Sequence, residues 1–119
     1  LVVVASQTIR GVTGARNTLE WLHAHGYGRL LPHTIVVLNA TDRGKPLINL
    51  KVAETMFRQV VADVVQVPHD PHLAEGAAVE FDALRPRTRQ ALLGLAGAVA
   101  DHYPLRHTAP AQAAEPRGF

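Results

Sequence analysis

Two apolar runs end on polar residues suited to the edge of a nucleotide base. Thr34-Ile35-Val36-Val37-Leu38 runs into Asn39, and Val64-Val65-Gln66-Val67 runs into Pro68-His69-Asp70-Pro71. The Asn39 amide offers one acceptor and two donors in one plane, which suits the adjacent donor and acceptor of adenine. A strand-end Asn equally caps a turn through its own backbone. Prolines on both sides stiffen His69-Asp70, and a stiff loop presents amides and carbonyls to a flat base at little entropic cost; its plainer use is a strand-to-helix turn. Asn39, Pro68, His69 and Asp70 are therefore the candidate base-binding residues. They make half a ligand site, because no GxxxxGK[ST] phosphate loop occurs anywhere in the chain to hold phosphates and magnesium.

Other chemistry is weaker. His69, Asp70 and His72 are types that ligate zinc, but Pro71 interrupts them and no second cluster accompanies them, so a metal site is not expected. His23, His25, His33, His102 and His107 are scattered and read as surface residues. Arg85, Arg87 and Arg89 flank the start of the last helix, where they could touch phosphate or an acidic partner. They read as a solvated face and oppose the helix dipole there, so nucleic-acid binding is not expected. Ser6 is the only serine and lacks a G-x-S-x-G context, and Glu75, Glu80 and Asp82 form no recognisable acid/base pair. No residue is assigned a catalytic role.

These residues need strand ends to hold them, and the pattern supplies strands alternating with helices. Val2-Val3-Val4-Ala5 reads as a strand of a parallel sheet covered on both faces. With nothing ahead of Leu1 to cover it, the chain is expected to begin inside a core. Gly11 breaks the run after the polar Ser6-Gln7-Thr8, and Thr13 can cap a helix whose apolar positions Ala15, Leu19 and Leu22 share one face, closed by Gly26. A link over 27–33 precedes the second strand over 34–39, and 41–46 reads as a loop. The spacing predicts a helix over 50–61 burying Val52, Met56, Phe57 and Val60, then a third strand over 63–67 that Pro68 terminates. The stretch 73–84 reads as a packed loop or short turn, and Pro86 opens a last helix to about His102 with Leu92, Leu95, Ala96 and Val99 as its buried stripe. From Pro104 to Phe119 the Pro/Ala-rich sequence has no periodicity and reads as a disordered tail.

The expected fold is thus α/β, a parallel sheet with flanking helices, with one domain over 1–103 and the tail over 104–119. In such sheets ligands bind beyond the carboxyl ends of the strands. Composition agrees: 119 residues with 47% hydrophobic and 18% charged suffice for one packed core and carry too little charge for a disordered chain. No apolar run approaches the roughly 20 residues of a membrane-spanning helix. The chain has no Cys, which excludes disulfide frameworks and fits a reducing cytoplasm. A net charge of +2 indicates no particular partner.

The order of elements, Ile35-Val36-Val37-Leu38-Asn39 and Val67-Pro68-His69-Asp70-Pro71 together resemble the C-terminal half of the MinD/ParA family of deviant Walker ATPases. The likeness is greatest to actinobacterial MinD-like proteins, some associated with type VII secretion. In these a segment like His72-Leu73-Ala74-Glu75-Gly76-Ala77 and a helix like Leu84-Arg85-Pro86-Arg87-Thr88-Arg89 follow the same loop. The resemblance covers about residues 1–104. It implies a partial P-loop NTPase domain of three layers, the base-binding half of an ATP-dependent dimerisation switch for positioning or secretion. Asn39 would read adenine and Pro68, His69 and Asp70 would line the base. ATP and Mg2+ would be held mainly by a half upstream of Leu1, so the chain alone would not be catalytic. The parent would be a cytoplasmic homodimer with a possible protein partner in a secretion or partitioning system. Ala40 departs from the family, which often has Arg or Lys there, and the tail lacks the basic amphipathic helix by which MinD reaches membranes. The alternative is a non-catalytic, ATPase-like interaction module that docks a protein partner.

Overall fold

The computed structural model describes residues 1–103, and the predicted tail over 104–119 lies outside the described residues. The elements are β1 (Val2–Ser6), α1 (Ile9–Ala24), a 3-10 turn (Gly28–His33), β2 (Ile35–Asn39), α2 (Leu50–Arg58), β3 (Asp63–Val67), α3 (Pro71–Ala74), a 3-10 turn (Phe81–Ala83) and α4 (Pro86–Asp101). The strands form one parallel sheet in the order β1-β2-β3. The fold is α/β, with a small three-stranded sheet and helices on both of its faces.

Side-chain alternation sorts the two faces. Ala5, Val36, Leu38 and Val64 point to one side and pack with Ala15 and Leu19 of α1 and with Phe57 of α2. Ile35, Val37 and Val67 point to the other and meet Ala98, Leu92 and Leu95 of α4. The central strand is covered twice, which accounts for its unbroken apolar run. β1 departs from that expectation. Its apolar run was read as buried on both faces, yet Val4 is 64% exposed. The reason is placement: α4 packs over β3, leaving the same face of β1 uncovered.

Local chemistry also moves the first helix. It begins at Ile9, with Thr8 in an extended conformation accepting the Gly11 N–H at 2.9 Å, so the cap lies five residues ahead of the expected Thr13. Gly11 is a close-approach residue here, not a breaker, since a Cβ there would meet Ser6 O and Oγ at 2.3 Å. Gly26, at φ +87°, ends the helix region as expected. The second helix starts where predicted, with Asn49 Oδ1 accepting from Lys51 and Val52 amides, but stops at Arg58. Of the four predicted positions Phe57 is buried and Met56 packs against the core, while Val52 and Val60 are exposed and Ala53 takes the other buried place. In α4, Leu92 and Leu95 do line the sheet, while Ala96 and Val99 are exposed and the buried positions are Thr88 and Ala98.

Candidate functional site

The register brings the strand ends level. Ser6 pairs with Asn39 and Asn39 with Val67, so the ends of β1, β2 and β3 form one rim from which the Pro68-His69-Asp70 turn leaves. The rim is held by Gln7, a residue that the sequence did not single out. Its backbone N–H donates to Asn39 O at 3.2 Å, and its side-chain Nε2 donates to Leu38 O at 3.0 Å and Val67 O at 3.5 Å. One side chain thereby spans all three strand ends. The Ala40 N–H donates to Val67 O at 2.9 Å, fixing where the chain leaves β2. The only sequence signal for Gln7 was its place just after an apolar strand.

Asn39 lies at the end of the doubly covered central strand, half-buried, and its side-chain amide makes no hydrogen bond among the described residues. The turn-capping alternative would have required that amide to bond its own backbone neighbours. Pro68 and His69 follow β3 and are half-buried, and the His69 ring likewise makes no hydrogen bond among the described residues.

Asp70 behaves differently. It is 3% exposed, and its carboxylate is engaged on both oxygens: Oδ1 accepts the His72 N–H and Oδ2 the Arg85 N–H, each at 2.9 Å. It caps α3 and ties the turn to the start of α4, which has no side-chain cap of its own. The Arg85 amide foremost holds the carboxyl down to about 2; the Thr88 hydroxyl, the His72 amide and the Arg85 charge add to this, and desolvation opposes it. The Thr88 hydroxyl is wholly buried beside this carboxylate, although it misses the geometry of a full hydrogen bond. The Asp70 side chain is therefore the anchor of the turn and leaves no free oxygen to read a base.

The same contacts bear on metal binding. His72 Nε2 accepts the Glu80 N–H at 2.9 Å, and no group of three His, Asp or Glu side chains gathers among the described residues to hold a metal ion. Arg85 and Arg87 are exposed, as the sequence indicated, while Arg89 bends back to donate to Leu84 O at 2.6 Å. No described helix is long and apolar enough to cross a membrane.

Beside Asn39, on the β1 side, lies a cavity of about 310 Å³ between the first turn of α1 and the loop over 40–47. Ile9, Arg10, Ala40, Lys45, Pro46 and Leu47 contribute to its lining; Asn39 and the Pro68-His69-Asp70 turn do not. Sequence reading passed over this cavity because its two walls are 30 residues and more apart in the chain and neither carries a motif.

No family model matches the chain, and no solved structure matches it. Two curated proteins of Mycobacterium tuberculosis, from strains CDC 1551 / Oshkosh and ATCC 25618 / H37Rv, are similar to it, and both are named ESX-1 secretion-associated protein EspI. Each is 36% identical over 105 residues, or 87% of this chain. The chain spans 16% of the length of these relatives. The resemblance to the MinD/ParA family is corrected here: no such family matches, and the similar proteins carry a secretion-associated name. The physical reason is that a strand-terminal Asn and a proline-flanked turn arise wherever parallel strands run into turns, so they do not single out one family.

Proposed function

We propose that this chain is an α/β module of a secretion-associated protein and that its strand-end rim holds a purine base, with adenine, as in ATP, the base favoured. The secretion assignment draws on the name of the two similar proteins. The base assignment draws on one observation: the Asn39 amide, at the end of the central strand, is half-buried with no hydrogen bond among the described residues. A planar donor and acceptor left open at a strand end suits a planar ligand edge. Pro68 and His69 supply the neighbouring wall, held in place through Asp70.

The residues present fit the base and do not fit the rest of a nucleotide. No phosphate loop occurs in the chain and no carboxylate cluster suited to magnesium gathers among the described residues, so Mg2+ binding and hydrolysis form no part of this reading. An ATP-driven dimerisation switch likewise finds no supporting geometry. The test is titration of the protein with ATP and GTP: measurable ATP binding that Asn39→Ala weakens supports the reading, and equal binding of both nucleotides by wild type and variant removes it.

A further inference from the structure

The cavity beside the rim carries features that base binding does not use. Ile9 and Leu47, both in its lining, are 70% and 97% exposed, which places two large aliphatic side chains at one opening. Arg10 and Lys45 also line it, and Arg43 lies in the same loop. Among the described residues none of the three has an ion-pair partner, and Asp42 is the one carboxylate in their midst.

We propose that this cavity docks an acidic polypeptide segment, one of whose apolar side chains enters the cavity while its carboxylates pair with Arg10 and Lys45 and its backbone covers Leu47. Charge complementarity selects an acidic partner, since three cations face outward against one carboxylate. Size selects a polypeptide over a small ligand. A pocket for a small molecule encloses most of its ligand, whereas Ile9 and Leu47 line the 310 Å³ space and still leave most of their surface exposed, so a larger surface is needed to cover both. Concavity argues against a bilayer, which seats a protruding apolar face with cations beside it. This inference is independent of the base site, because Asn39 is outside the cavity.

The test uses the whole chain and a fluorescein-labelled peptide of about a dozen residues repeating Glu-Asp-Leu, with a matched peptide carrying Lys for each acid. Anisotropy is read at low and moderate salt, and phosphatidylglycerol vesicles are run in parallel by sedimentation. The acidic peptide is expected to bind, with affinity falling as salt rises. Arg10→Glu with Lys45→Glu, and separately Leu47→Ser, are each expected to weaken it by about tenfold or more, while Arg87→Glu on α4 leaves it unchanged. The substituted side chains are all exposed, so the melting temperature serves to check that the fold is intact. The proposal is overturned if the Lys peptide binds as well as the acidic one, if the double charge reversal leaves binding unchanged, or if vesicles bind while the peptide does not.

Discussion

Replacing Asn39 by Ala isolates the base-reading proposal, because the side chain makes no hydrogen bond among the described residues and its backbone contacts survive the change. Gln7 still donates to Asn39's carbonyl oxygen, and the pairing of β2 with both neighbours is a backbone property. The fold should therefore hold. If the amide pairs with the adenine edge, the variant loses up to two hydrogen bonds, each with a net value of about 0.5–1.5 kcal/mol. Because Asn39 is only half-buried, water can partly replace the lost partner, which places the expected loss at about 1–2 kcal/mol. That loss is about a 5- to 30-fold weakening of ATP. Guanine offers the reverse donor and acceptor order, so GTP binding should change less and the ATP-to-GTP preference should shrink. Calorimetric titration of both proteins with both nucleotides measures it. A folded Asn39→Ala variant with an unchanged ATP-to-GTP ratio would refute the reasoning and return Asn39 to the role of a strand-end turn residue.

Two glycines of α1 should respond with opposite sign in thermal or urea unfolding. Gly11→Ala places a methyl 2.3 Å from Ser6 atoms and should destabilise by about 1–3 kcal/mol. Gly14→Ala meets nothing within 4 Å and should stabilise by up to about 1 kcal/mol, so two changes of the same sign would contradict the close approach of α1 to β1. Gln7→Ala should cost about 1 kcal/mol by removing the donor that spans Leu38 O and Val67 O, and a neutral result in urea unfolding would show that the rim holds without it. Asp70 has its carboxyl lowered from 3.8 to about 2, so its contribution should be complete above pH about 4 and be lost as the pH falls from there toward 2. Urea midpoints across that range should fall more steeply for wild type than for Asp70→Asn, and parallel curves would argue against the Arg85 and His72 contacts.

How much of this was legible in the sequence depended on how local each cause is. The strand over Ile35–Asn39 was readable because a doubly covered strand is apolar almost throughout, and the strand over Asp63–Val67 because its valines stop at Pro68. Gly26 and Asn49 act within a turn of where they stand, so helix ends near them were also accessible in principle. Gly11 was misread because its reason lies across space: the residue it makes room for is Ser6, at the end of a strand. Facing was partly lost in α2 for a similar reason. Phe57 and Met56 were read correctly, but Val52 and Val60 recur at the same helical spacing and face solvent while Ala53 is buried, and periodicity cannot tell which edge of an apolar stripe the tertiary structure covers.

The site shows the same division. Asn39 could be named a candidate because a polar residue closing an apolar strand is a local signal, whereas Gln7 and the cavity at Arg10 and Lys45 depend on chain segments that meet only in the fold. Asp70 is the instructive intermediate. The sequence placed it in a stiff turn and named it a candidate base-binding residue, yet Arg85, Arg87 and Arg89 flank the start of α4, which has no side-chain cap. That helix start needs an acceptor and an anion, and Asp70 supplies both from 15 residues away. The consequence reaches the proposed base site. With its carboxylate pinned between two amides, the Pro68-His69 wall is set by the protein's own contacts, so a base entering beside Asn39 would meet a surface that has already lost its freedom and would bind without the cost of ordering it.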